Sequence, residues 1–599
     1  MTSANPTTAN DALRAALALQ QRGDFVAAET AYRGLLDRFG PNPDAEHMLA
    51  LTLHAAGRSD EALPWFERAE KTRTGATLWN NYAAALLAVG RAREAADRAQ
   101  RATIADPRHA GAWLNLGLAL DAEGDFDAAI IALNRAVEFA TDDATAQRAN
   151  HERSVTLASQ ERRTVVDSAQ RLIERGDSDA GLSILREWLD AHPDDNAVAS
   201  TYLFACNYSE TMTPDAVLVE HRRFPLVCKE LPTSAERTRR ASLSNPLRIG
   251  WIKDGFGADL SAIFLEAVMR AFPRIAPDVE HVLYAVGGNR HASQRRAKWS
   301  TAQHDVSHFS DSRLLERIID DRIDVLVDMM GRTTGNRACI FAARAAPVQV
   351  GWLDAFYTSG LETMDFLVTD SWLSPPGAEK DFTERLLRIP HGRLAYQPPP
   401  IEGIDIEAAR QRRFVSLNRF SKLNDGVIDV WASILRKLPD WALLLKARGC
   451  DDDLVAHFRA RFARMGIDPA RIEIEGEGTY AQAMAAYDRA SIALDPFPFS
   501  GCSTTCDALW MGLPVVTWPR EAMASRQTAA WLEMAGKSEW IAKDAASYID
   551  IAVALAGDEP ERRAWRADAH DVLRPAITDS ERFAREFIDA IRAVAITPH

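Results

Sequence analysis

The 599-residue chain has no run of about 18 apolar residues, so no membrane-spanning helix is expected. Its start, Met1-Thr-Ser-Ala-Asn-Pro-Thr-Thr, lacks the basic head and apolar centre of a secretory signal, and 1–9 reads as a disordered lead. A basic excess is missing too. Lys and Arg total 70 against 84 Asp and Glu, a net charge of -14. That excludes a nucleic-acid backbone as the main partner, because releasing condensed counterions needs a basic surface. Cysteine is scarce and scattered. Of six, Cys206, Cys228, Cys339 and Cys450 stand alone, and Cys502 and Cys506 flank one loop. No pair has zinc spacing with a second pair, and a reducing, cytoplasmic setting is expected. What remains is ordinary for a soluble protein, 47% hydrophobic and 26% charged. The length suggests roughly four domain-sized units.

The N-terminal third repeats. Gly23, Gly57, Gly90 and Gly124 are spaced 34, 33 and 34 residues apart. Five residues after each lies an alanine (Ala28, Ala62, Ala95, Ala129), and nine after each lies Tyr32, Phe66, Ala99 or Leu133. This is the tetratricopeptide pattern, with two helices per unit, small residues where they touch and glycine at the turn. A fifth unit surrounds Gly176, 52 residues beyond Gly124, so the helical stretch around 141–165 breaks the period. One repeat cannot bury its own apolar face, so an α-solenoid over 10–205 is predicted, its groove suited to an extended protein segment. A scaffold or homodimerisation arm is the plainer reading.

A helical junction over 206–246, carrying His221, leads into a different pattern. From Leu247, short apolar runs alternate with helices: 247–252, 281–286, 324–328, 348–352 and 366–369. Such runs suit a parallel sheet covered on both faces. Tyr396-Gln-Pro-Pro-Pro400 interrupts them, and 397–411 reads as a linker. A second series follows at 414–417, 442–446, 472–474, 492–494 and 514–517. Two α/β lobes are therefore predicted, 247–396 and 412–599.

The stretch Ser491-Ile-Ala-Leu-Asp-Pro-Phe-Pro-Phe-Ser-Gly-Cys-Ser-Thr-Thr-Cys-Asp-Ala-Leu-Trp-Met-Gly-Leu-Pro-Val-Val-Thr517 reads as strand, tight loop, helix, strand. Gly501 lets the backbone turn without a Cβ clash. Ser503, Thr504 and Thr505 sit where a helix begins, and its open N–H groups can hold a phosphate. Asp507, one turn in, is placed to accept from a ribose diol. Thr504-x-x-Asp507 also reads as a plain capping box. Asp451-Asp-Asp453 reads as a helix cap, and no metal or other cofactor is expected.

This stretch resembles the nucleotide-sugar loop of the O-linked N-acetylglucosamine transferase family (glycosyltransferase family 41, SPINDLY-like), whose members join tetratricopeptide repeats to a GT-B glycosyltransferase with two Rossmann-like lobes. Ser416-Leu-Asn-Arg-Phe-Ser-Lys422 is similar to the family's Phe-Asn-x-x-x-Lys element. The resemblance makes Lys422 the leaving-group stabiliser and places Asn418, Arg419, Gly501, Ser503, Thr504, Thr505, Asp507 and, in a supporting role, Arg526 around the donor. It puts Arg332, Trp352 and Tyr357 on the acceptor side. It implies a metal-independent protein O-glycosyltransferase that moves a sugar from a nucleotide sugar to Ser or Thr of a protein captured by the repeats. UDP-N-acetylglucosamine is the family's donor. Some bacterial flagellin glycosyltransferases share the layout and use activated nonulosonic acids.

The chain departs from the family in its first lobe. Where relatives have Ser-x-Asp-Phe and then a histidine, it reads Lys253-Asp-Gly-Phe-Gly-Ala-Asp259. Gly-His-Thr becomes Gly331-Arg332-Thr333, and Trp-Leu-Gly-Tyr-Pro-Gly-Thr-Thr-Gly becomes Trp352-Leu-Asp-Ala-Phe-Tyr-Thr-Ser-Gly360. Three readings are open. Asp259 serves as base or positioning group; the donor is an acidic sugar met by Arg419 and Arg332; or the chain is a non-catalytic tetratricopeptide adaptor with a degenerate transferase domain.

Overall fold

The computed structural model describes residues 8–228, 231, 244–256, 262–287, 298–398, 410–476 and 478–595. Two compact units result, Met1–Thr164 and Val165–His599.

The first unit is built of helix pairs: Ala9–Gln21 with Phe25–Phe39, Pro43–Ala55 with Ser59–Glu70, Ala76–Ala88 with Ala92–Ala105, and Ala110–Glu123 with Phe126–Phe139. The phased glycines sit at the turns within pairs in left-handed backbone, as at Gly57 (φ +77°) and Gly124 (φ +80°), where a side chain would be strained. The phased alanines Ala28, Ala62, Ala95 and Ala129 are fully buried where paired helices touch. The interruption after Gly124 is a single helix of 32 residues, Asp143–Glu174, and the unit boundary falls within it.

The fifth repeat belongs to the second unit. Its helices Ser178–Ala191 and Asn196–Ala205 follow a turn at Gly176 (φ +82°). A Cβ there would lie 2.2 Å from the Leu423 carbonyl, and Arg461 donates to the carbonyls of both Arg175 (3.0 Å) and Leu423 (2.7 Å). The repeat is thereby fixed to the second lobe. In the junction helix Pro214–Arg223, buried His221 donates through Nδ1 to the Val217 carbonyl at 2.8 Å. Burial pushes its pKa down to about 3, so it packs as a neutral ring, with Gly360 close beneath. Cys228 and Cys339, read from sequence as solitary, are bonded across 111 residues, because the fold lays the junction against the short helix Ala338–Ala342.

The first lobe carries seven strands: β1 (Leu247–Lys253), β2 (Val279–Ala285), β3 (Ala302–Asp305), β4 (Val325–Asp328), β5 (Val348–Gly351), β6 (Phe366–Thr369) and β7 (Arg385–Arg388). They form one parallel sheet in the order β3-β2-β1-β4-β5-β6-β7. The second lobe has β8 (Arg413–Ser416), β9 (Ala442–Lys446), β10 (Ile472–Glu475), β11 (Ile492–Leu494) and β12 (Val515–Val516), parallel in the order β10-β9-β8-β11-β12. Chain direction along each sheet reverses once, between β1 and β4 and between β8 and β11. Ligands of doubly wound sheets bind at the strand C-terminal ends beside such a reversal.

The last helix, Ser580–Ala595, returns to the first lobe. Its Phe587 stacks near Trp251 (5.8 Å) and Trp352 (4.8 Å), and Arg592 pairs with Asp278 at 2.7 Å. The two lobes are thus tied by a shared aromatic core as well as by the linker.

Candidate functional site: a cleft at the strand ends of the second lobe

The loop after β8 and the loop after β11 meet at the reversal point of the second sheet. The first holds Asn418, Arg419 and Lys422 on a short turn, Phe420–Lys422. The second runs from Asp495 through Gly501 into the helix Ser503–Trp510. Lys422 Nζ donates to the Ser500 carbonyl (2.7 Å) and to Asn418 Oδ1 (3.2 Å), and it lies 4.3 Å from the centre of the Phe499 ring. Burial pushes its ammonium down to about 8, opposed by the Asp495 carboxylate and helped by Arg419. Arg419 is exposed.

The helix starts at Ser503 with Cys502 as its cap and no side-chain capping bond, so Thr504-x-x-Asp507 is not a capping box. The first intrahelical bond is Cys506 N to Cys502 O at 3.2 Å. The N–H groups of Ser503, Thr504 and Thr505 precede it and have no acceptor within the helix. They make the positive end of the helix an anion cradle next to the Lys422 ammonium. Ser503 and Thr504 are partly exposed, and Thr504 Oγ1 reaches Asn418 Oδ1 at 3.4 Å.

Gly501 avoids a Cβ clash, as the sequence suggests. Its φ is not positive. It is a matter of space: a Cβ would lie 2.6 Å from Thr505 Oγ1, 2.8 Å from Thr504 Oγ1 and 3.0 Å from Asp495 Oδ1. Buried Asp495, unassigned from sequence, fixes the loop by accepting from Gly501 N (2.6 Å) and Thr517 Oγ1 (2.7 Å). Burial raises its pKa to about 6.

Other expected donor residues stand differently. The Thr505 hydroxyl is buried and tied to Thr528 Oγ1 at 2.7 Å, so only its backbone faces the cradle. Asp507 Oδ1 accepts from Tyr396 (2.7 Å) and Tyr480 (2.6 Å), which leaves Oδ2 alone for any further donor. Burial raises Asp507 to about 6 although both phenols favour its charged form. Arg526 donates to the Trp372 carbonyl at 2.8 Å, a bond between the lobes rather than part of the cradle.

The acceptor-side expectations need correction. Trp352 is fully buried among Trp251, Phe583 and Phe587, with Nε1 donating to the Arg393 carbonyl at 2.9 Å. It is a core residue because the returning C-terminal helix covers it, which no local pattern reveals. Arg332 is buried, donates to the Ser359 carbonyl at 2.9 Å, and lines a small internal cavity with Asp328, Tyr357 and Glu384. Tyr357 is buried against His221, their rings 5.4 Å apart. All three side chains are buried. Asp259 lies outside the described residues.

Three further features were not legible in sequence. Lys253, at the end of β1, is buried and pairs with Asp354, after β5, at 3.1 Å. Asp328, at the end of β4, accepts from the N–H groups of Met330 (2.9 Å) and Gly331 (3.2 Å), and burial raises it to about 6. Phe499 of the donor loop sits in a ring cluster with Phe356 (5.3 Å) and Tyr208 (5.3 Å), joining both lobes to the junction.

A family model, Glycosyl transferase family 41, matches residues 227–395 and 412–584, and a tetratricopeptide repeat model matches 13–76 and 83–144. The chain belongs to glycosyl transferase family 41. Family 41 relatives include "Probable UDP-N-acetylglucosamine--peptide N-acetylglucosaminyltransferase SPINDLY" of Oryza sativa subsp. japonica, 27% identical over 417 residues covering 67% of this chain and 45% of that protein. The protein of the same name in Arabidopsis thaliana is 28% identical over 393 residues, covering 64% of this chain and 43% of that protein. The chain therefore spans about half the length of the curated relatives it matches. A variant of the Thermobaculum terrenum O-GlcNAc transferase is structurally similar, with TM-score 0.66 and 29% identity, covering 87% of this chain and 97% of that one. The family 41 match takes in both lobes, the Lys422 turn and the cradle.

Proposed function

We propose that this chain is a protein O-glycosyltransferase. A nucleotide sugar binds with its diphosphate on the N–H groups of Ser503, Thr504 and Thr505 and on Lys422. The sugar's anomeric carbon faces the first lobe, and a Ser or Thr hydroxyl of a protein held by the repeats displaces the diphosphate. The observation that carries this reading is Lys422 beside an uncapped helix start: a fixed cation and open N–H groups converge where leaving-group charge develops. UDP-N-acetylglucosamine is the proposed donor, in keeping with the names of the relatives. An acidic donor is less well supported than the sequence suggests, since Arg332 is buried in the first lobe and Arg419 alone remains for a sugar carboxylate. Intact-mass measurement of co-expressed candidate acceptor proteins tests both points. An N-acetylhexosamine increment supports the proposed donor, a nonulosonic acid increment replaces it, and no increment across acceptors with nucleotide still bound points to an adaptor.

A further inference from the structure

Two charged residues of the first lobe meet at the strand ends. Lys253 and Asp354 form an ion pair at 3.1 Å between the ends of β1 and β5. Lys253 is sealed in, its side chain 3% exposed, whereas the Asp354 side chain is 32% exposed. Asp354 also lies within electrostatic reach of Cys502, the residue that opens the phosphate cradle on the opposite lobe, and of Arg393 and Asp328. A buried ammonium paired with a partly exposed carboxylate is an arrangement for holding that carboxylate in one place.

We propose that Asp354 is the acceptor-side base of the transfer reaction and that Lys253 positions it. This rests on the transferase reading above. In the step, the Ser or Thr hydroxyl gives its proton to the Asp354 carboxylate while its oxygen forms the new bond to the anomeric carbon. The bond from that carbon to the diphosphate breaks, and its electron pair leaves with the diphosphate toward Lys422 and the helix N–H groups. The proton on Asp354 passes to solvent after release. Among the described residues, the charged or titratable groups facing Asp354 include Lys253 from β1, Asp328 from β4, Arg393 from the loop after β7 and Cys502, the cap of the donor helix. Asp354 thus takes the part that the sequence offers to Asp259.

Four full-length proteins test it: wild type, Asp354→Asn, Lys253→Met and the double variant. The readouts are nucleotide release from UDP- and CMP-sugars, UDP affinity by calorimetry, and the pH profile of kcat. Asp354→Asn should lose at least about 100-fold in kcat with UDP affinity unchanged. Because that variant takes the Asp354 charge away from a buried ammonium and can fail to fold, the double variant, which removes both charges, is decisive. It should fold, bind UDP and remain about 100-fold slow. Lys253→Met should move the acid limb of kcat upward, since the base loses its cation. A double variant with wild-type turnover, or Asp354→Asn within about threefold of wild type, would show the pair to be structural and overturn the inference. A wild-type protein that binds UDP yet releases no nucleotide from any of the sugars overturns the transferase reading and this inference with it.

Discussion

The Lys422 ammonium donates to the Ser500 carbonyl at 2.7 Å, joining the turn after β8 to the loop that opens the donor helix. The bond aims the cation along the edge of the uncapped helix start. Lys422→Ala should therefore cost about 10²–10³ in kcat, the ~2.7–4 kcal/mol typical of a lost transition-state charge contact, with little change in thermal stability. Near-normal turnover in a folded variant removes Lys422 from the mechanism.

The same lysine sets a pH limit. Burial lowers its pKa to about 8, and only the protonated form carries the charge that meets a diphosphate. At pH 7 it is mostly charged; as pH rises through about 8 the charge is lost and donor capture with it. The kcat/KM profile, which reports the free enzyme, should fall on an alkaline limb near 8. A profile flat to pH 10 would contradict this assignment.

Gly501→Ala is expected to damage donor binding out of proportion to its size. The new Cβ would meet Thr505 Oγ1 at 2.6 Å and Thr504 Oγ1 at 2.8 Å, so the helix start must shift. Overpacking of this kind costs about 1–3 kcal/mol of stability. Calorimetry should show UDP affinity reduced at least tenfold, roughly 1.4 kcal/mol.

Trp352→Ala separates a core residue from an acceptor contact. Removing an indole packed on Trp251, Phe583 and Phe587 should destabilise the second unit by about 3–5 kcal/mol, read as a large fall in its unfolding midpoint. Unchanged stability with a raised KM for the acceptor would restore the sequence-based assignment.

The two-unit division predicts where the chain can be cut. A protein beginning at Val165 keeps the fifth repeat, whose turn is bonded to Arg461, and the rings of Phe204 and Tyr208 that cover Phe499. It should fold and bind UDP while modifying protein acceptors poorly. One beginning near 240 loses those rings and should aggregate. Equal solubility of the two, measured by size-exclusion chromatography, would show that the fifth repeat is not part of the transferase unit.

Sequence alone settled the repeats, ten apolar strands and the helix start at Ser503, because each is local. The glycine phase from Gly23 to Gly124 marks turns, buried parallel strands read as unbroken apolar runs, and a strand–loop–helix string fixes where N–H groups open. Strands β3 and β7 escaped it. Both lie at a sheet edge and are half-exposed, Ala302-Gln-His-Asp305 and Arg385-Leu-Leu-Arg388, so neither carries the apolar signature. Only tertiary structure could decide that Trp352 belongs to a core shared with the C-terminal helix, that Cys228 meets Cys339, and that Lys253 pairs with Asp354. Those partners are 101 to 235 residues apart in no regular spacing, and what joins them is strand order and the helix that crosses back, which a local pattern does not encode.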